Sequence, residues 1–216
     1  MAFKAINKLD KLIYSVNEWE RRLVGVTPYC PVCEEITEIK AKGSTVMKTH
    51  FAHLKGSNCP LIEENHSSYL LLPPSNKDDK NGDELIRWAK VNSYHLYNKC
   101  KELLEGRLKY QEFSDILEKA VEKRIWFYKG LTKESLPFVL IVNYGKFLKK
   151  TGIRKEDVHF IFDKSLYGDD LFLQKKITHV WRVRESLDID KIDLSYDVME
   201  TAPDYFWNYV KKFTTS

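Results

Sequence analysis

The sequence lacks any apolar run long enough to span a bilayer, and no signal-peptide pattern opens it. The expected chain therefore has no membrane partner and works in the cytoplasm. It also lacks internal repeats and low-complexity tracts, which excludes a solenoid or a compositionally biased spacer. No charge of one sign dominates: 35 Lys and Arg stand against 31 Asp and Glu, for a formal +4. The pI near 8.7 permits nucleic-acid contact without demanding it. No nucleophile lies near a base, and no paired carboxylates are evident, so no triad or acid–base pair can be argued. Cysteine is scarce, at four in 216 residues. Two disulfides in a secreted protein would use all four. The absent signal and the neighbouring histidines argue for free thiols in a reducing compartment instead.

What is present is concentrated. Cys30-Pro31-Val32-Cys33 is followed by His50-Phe51-Ala52-His53 and then Cys59-Pro60. Cys-x2-Cys places two thiolates on one tight turn, converging on a tetrahedral metal. A second soft or borderline pair must arrive from another strand to close the shell. Sulfur and imidazole ligands in a closed four-coordinate site fit structural Zn2+. On a regular strand His50 and His53 point to opposite faces. Since His53 leads into a loop that returns Cys59, the preferred set is Cys30, Cys33, His53 and Cys59. The alternative uses both histidines and leaves Cys59 free, and His50 otherwise reads as a packing or supporting residue. Cys100 stands apart and reads as a small buried hydrophobe.

The fold class expected is α+β: a small β zinc ribbon over residues 1–66, a linker or exposed loop over 67–82, and a mixed helical and β domain over 83–216. Residues 1–24 read as short strands and a helical turn. A hairpin follows, with a strand near 36–41, a turn at Lys42-Gly43-Ser44 and a return over 46–51. This region has too little apolar bulk to hold a core alone, so a metal would supply folding energy on the order of 10 kcal/mol. Asn81 or Asp83 is expected to cap a helix whose apolar stripe runs from Leu85 to Leu104 and which Gly106 ends. A second helix is expected over 110–128, with Val121 inward. The apolar runs 138–142 and 158–162 and the alternating 177–183 read as strands, and 202–213 as a final amphipathic helix.

Thr49-His50-Phe51-Ala52-His53 with Cys59, behind Cys30-x2-Cys33, resembles the amino-terminal zinc-ribbon-like region of the competence protein CoiA family. Leu9-Asp10-Lys11-Leu12-Ile13-Tyr14 looks like that family's first hairpin. Glu63-Glu64-Asn65 and Trp88-Ala89 look like the start of its next domain. The resemblance covers residues 1–66 and, faintly, 82–90. It implies a zinc ribbon fused to a restriction-endonuclease-like nuclease acting in DNA uptake and recombination; similar ribbons occur on other DNA-processing and defence proteins, antiviral defence included. The chain departs from the family in its nuclease half. That half should carry an acidic residue on one strand and Glu-x-Gln or Glu-x-Lys on the next. Asp163, Asp169, Asp170, Gln174 and Lys175 are imitations with the wrong spacing. The expectation is a chain that does not catalyse by itself; were it an enzyme, the class would be a metal-dependent nuclease.

The expected partner is DNA or RNA, with a protein-interaction adaptor or effector as the alternative. Arg21, Arg22, Lys40, Lys42, Lys48 and Lys55 cluster in the ribbon. Trp19, Tyr29 and Phe51 are interleaved as candidate stacking rings. A second basic group is Lys146, Lys149, Lys150, Arg154 and Lys155. His66 is a further candidate for a site between ribbon and core.

Overall fold

The computed structural model describes residues 2–62, 65, 77–162, 179–186, 188–193 and 201–215. Part of the expected linker (67–76), together with His66, Asp163, Asp169, Asp170, Gln174 and Lys175, lies outside them. The class is α+β, as expected: six α-helices and three small antiparallel sheets among the described residues.

The amino-terminal lobe begins with β1 (Lys4–Ile6) paired to β2 (Ile13–Ser15). Ser15 caps α1 (Val16–Arg22) in a capping box with Glu18. β3 (Thr37–Lys40) and β4 (His50–His53) form the expected hairpin, with Thr37 opposite His53 and Lys40 opposite His50. The start of the chain stitches these pieces together. Ala2 exchanges backbone hydrogen bonds with Phe51, and Ile6 does so with Tyr29 just before the first cysteine. The lobe has a small core of its own. Trp19 and Phe51 are each 1 % exposed and meet edge to face at 5.7 Å, with Ala5 and Val16 around them.

The third sheet is a four-stranded meander of β5 (Lys146–Phe147), β6 (Val158–Ile161), β7 (His179–Arg184) and β8 (Ile189–Asp193). Its two faces are both covered, by different partners. Phe160 and Val180 belong to the large helical core, whereas Ile161, Trp181, Val183 and Ile189 pack with Cys30, Val32, Cys59 and Leu61. The sheet is thus a middle layer between the helices and the cysteine turns. Lys4 of β1 adds a polar tie, donating to the Ile189 carbonyl and to Asp190, both at 2.9 Å.

The helical layer departs from expectation at several points. The stripe from Leu85 to Leu104 is two helices, α2 (Asp79–Val91) and α3 (Ser93–Leu103), broken at Asn92. There the Asn92 side chain donates to the Trp88 carbonyl, and three poor helix formers, Val91-Asn92-Ser93, meet. Asp78, not Asn81 or Asp83, is the α2 cap, accepting from the Asn81 amide, so residues 79–82 of the expected linker are helical. The next helix, α4 (Tyr110–Glu122), stops short of Tyr128 because Arg124 adopts the left-handed region at φ 52. Val121 is exposed, not inward. Residues 138–142 are not a strand but the centre of α5 (Leu136–Tyr144), buried from Leu136 to Asn143. Ser135 and Thr132 exchange side-chain-to-amide hydrogen bonds at its start, and Pro137 sits in its first turn. A helix that is apolar all round belongs inside a core, and its sequence carries no 3.6 periodicity to distinguish it from a buried strand. The last helix, α6 (Phe206–Thr215), docks Phe206, Val210 and Phe213 into the same core.

Gly82 of α2 faces Phe127 so closely that an added Cβ would lie 2.4 Å from the ring. Gly82→Ala is therefore expected to destabilise by about 1–3 kcal/mol despite its better helix propensity. Urea unfolding measures this; unchanged stability would mean that the Phe127 ring swings aside freely.

Candidate metal centre

Two turns of the same construction present the cysteines. In Cys30-Pro31-Val32 the Val32 amide donates to Cys30 Sγ at 3.4 Å; in Cys59-Pro60-Leu61 the Leu61 amide donates to Cys59 Sγ at 3.5 Å. A proline after each cysteine sets φ and leaves the next amide to turn back onto the sulfur. Such a donor favours the thiolate. The first turn is closed by the Glu34 amide on the Cys30 carbonyl, with Glu34 at φ 59. The second is held by Ser57, whose hydroxyl accepts from the Cys59 amide and donates to Glu35. The Asn65 side chain adds a bond to the Cys59 carbonyl.

The ligand atoms of Cys30, Cys33, His53 and Cys59 all lie within 4.8 Å of one another. Cys30 Sγ and Cys59 Sγ are 3.8 Å apart, and Cys33 Sγ is 3.4 Å from His53 Nε2. Cys30 and Cys59 are almost fully buried, and all three thiols are free of disulfides. This arrangement can hold a metal ion. Without a cation the Cys30 and Cys59 thiols are driven in opposite directions. Hydrogen bonds from Cys33 and then Cys59 pull the Cys30 thiol down in pKa, and the Cys59 thiol is pushed up mainly because it serves Cys30 as donor. A dication among them removes that conflict by letting all three ionise.

His50 takes no part in this group. It is buried on β4, with Nδ1 bonded to the Lys48 carbonyl at 2.9 Å. Strand alternation between positions 50 and 53 is what separates the two histidines. Cys100 is wholly buried among apolar side chains of the helical core, and burial pushes its thiol up.

The basic residues singled out from sequence are dispersed in role. Arg21, Arg22, Lys48 and Lys55 are exposed. Lys40 pairs with exposed Glu38, and exposed Lys42 with half-buried Glu20 at 3.7 Å, in surface pairs that stabilise by about 1 kcal/mol or less. In the second group Lys146 pairs with Asp157, and Arg154 is buried against Glu112. Trp19 and Phe51 are core residues, not stacking platforms. Sequence reading missed β8 and the ion network that it anchors. Asp190 receives Lys4, Arg182 and Arg184. Burial alone would raise its carboxyl, but these three donors hold it well below the usual aspartate range.

Compared with known proteins, the chain matches no protein-family profile, no curated protein and no solved structure. Among the described residues no helix is long and apolar enough to cross a membrane.

Proposed function

We propose that this protein is a structural zinc protein whose amino-terminal lobe engages DNA or RNA, in DNA processing or defence, without catalysing a reaction by itself. One observation carries the zinc reading. Two thiolates bound tetrahedrally at about 2.3 Å from one ion lie about 3.8 Å apart, and Cys30 and Cys59 are 3.8 Å apart. The Cys33–His53 separation of 3.4 Å is near the slightly shorter sulfur–nitrogen edge of the same tetrahedron. All four positions are filled by the protein, the arrangement of a structural rather than a catalytic zinc.

Exposed Arg21, Arg22, Lys48 and Lys55, with weakly paired Lys40 and Lys42, support phosphate binding by the same lobe. The likeness of residues 1–66 to the CoiA ribbon supports DNA as the partner. With Trp19 and Phe51 buried, and half-buried Tyr29 capped by the Lys8 ammonium 4.1 Å above its ring, contact rests on charge rather than stacking, so binding is insensitive to sequence. A protein adaptor is the second reading. It is favoured by the turn between β3 and β4, where Val46 is 91 % and Met47 47 % exposed.

A gel shift separates the two. Single- or double-stranded DNA is expected to shift at low salt and to be released steeply as salt rises. Lys48→Glu with Lys55→Glu should weaken all sequences alike. Absence of any shift with DNA or RNA at low salt would leave the adaptor reading.

A further inference from the structure

On the face of β7 that turns away from the cysteines, Arg182 and Arg184 sit two residues apart, hence side by side. They border a cavity of about 70 Å3, where the α3–α4 and β5–β6 connections meet the sheet. Arg107, Arg154 and Lys155 line it too, against only two carboxylates, Glu105 and Glu156. The space suits a few waters or one tetrahedral oxyanion.

One donor of the buried floor is unsatisfied. Arg182 is 5 % exposed, and its Nε–H is buried with no hydrogen-bond partner among the described residues. A buried donor of this kind calls for an acceptor. Asp190 neutralises the network from behind on Arg182 and Arg184, Asp188 adds to it on Arg184, and Glu112 pairs Arg154. Glu105 behaves differently. Its Oε1 accepts from Arg182 Nη2 at 2.7 Å and from Arg184 Nη2 at 3.2 Å, yet its side chain is 42 % exposed. This exposed carboxylate, held by Arg182, Arg184 and, at 3.5 Å, Arg107, takes up donors that an oxyanion could use.

We propose that this cavity is a phosphate site, with Arg182 and Arg184 as its floor and Arg107 and Lys155 as its rim. Glu105 is an internal stand-in that the ligand displaces. Planar guanidinium forks suit phosphate oxygens, and displacing Glu105 frees the arginine donors that it holds for a dianion. The site lies across the sheet from the metal centre and is independent of it.

Calorimetric titration of the full chain with inorganic phosphate, at ionic strength held constant with chloride, tests this. One saturable site is expected. Arg107→Ala and Lys155→Ala, both at exposed positions, should each weaken it about tenfold, the loss of one charge-assisted contact. Glu105→Gln should tighten it, with circular dichroism verifying the fold. Absence of saturable binding in both wild type and Glu105→Gln, or equal affinity in the rim variants, overturns the proposal. Competition by a 5′-phosphorylated dinucleotide but not its 5′-hydroxyl form would assign the phosphate to a nucleic-acid end. Competition by neither would assign it to free phosphate.

Discussion

Cys30→Ser is expected to abolish metal binding and to unfold the region around both cysteine turns, and chelation of the wild-type protein should do the same. The reason is the scale of the contribution. A structural zinc site supplies on the order of 10 kcal/mol, comparable to the whole stability of a typical domain, about 5–15 kcal/mol. The turns around Cys30 and Cys59 contribute only Val32 and Leu61 as buried apolar side chains besides the cysteines, and their hydrogen bonds are mostly local. The damage should also spread, because those residues pack on Trp181, Val183 and Ile189 of the sheet. Amide exchange followed by mass spectrometry should show lost protection at residues 30–33, 59–61 and 180–183, with less change in α4 and α5. Elemental analysis should find about one zinc per chain in the wild type and almost none in Cys59→Ser. His50→Ala should keep its metal, although it loses a buried hydrogen bond. Full retention in Cys59→Ser with loss in His50→Ala would restore the two-histidine ligand set. Protection unchanged after complete chelation would show that apolar packing alone holds the lobe.

Arg154→Met is expected to cost about 3–5 kcal/mol, since it strands a carboxylate partner in a buried ion pair. The Arg154 side chain is 4 % exposed and that of Glu112 13 %. The arginine donates to both Glu112 oxygens, to the Arg107 carbonyl at 2.7 Å and to the Leu148 carbonyl at 3.1 Å. It therefore joins the β5–β6 connection to the start of α4. Glu112 also accepts the Lys109 amide, so its loss would uncap that helix. Denaturant unfolding reads the effect, and a cost below about 1 kcal/mol would mark the pair as solvated. The pH dependence has a defined sign. Burial alone would raise the Glu112 carboxyl, but hydrogen bonds from Arg154 and the Lys109 amide hold it below the ordinary glutamate value. A depressed carboxyl stabilises the fold above its unfolded pKa, near 4.3, and that stability fades as pH falls through the folded value. Wild type should thus lose stability toward acid more steeply than Arg154→Met.

The local chemistry of the metal group was legible because its parts are short-range. Cys30 and Cys33 share a turn, Pro31 and Pro60 fix the backbone after a cysteine, and the β3–β4 hairpin returns His53 within a few tens of residues. Alternation along β4 separated His50 from His53, and the loop from His53 to Cys59 was what favoured His53. The two strands at the start, α1 and the hairpin were likewise written in short patterns. Where pattern and environment parted, the reading failed. The apolar run at 138–142 is equally at home in a buried strand or a buried helix. The stripe from Leu85 to Leu104 keeps its period across Asn92, although the chain bends there.

The sequence by itself determined that this is an α+β chain with a four-residue cluster of metal-binding character near its start. These are properties of spacing, turn chemistry and periodicity, which act over a few residues. Only the tertiary structure decided that the cysteine turns pack on the carboxy-terminal sheet. It also decided that Trp19 and Phe51 are core, that Arg154 is a buried structural cation, and that Arg182 and Arg184 meet Glu105 at one cavity. Those outcomes depend on which surfaces face each other after folding. A side chain's charge or ring is the same in sequence whether it meets water, a counter-ion 42 residues away or a second layer of the fold.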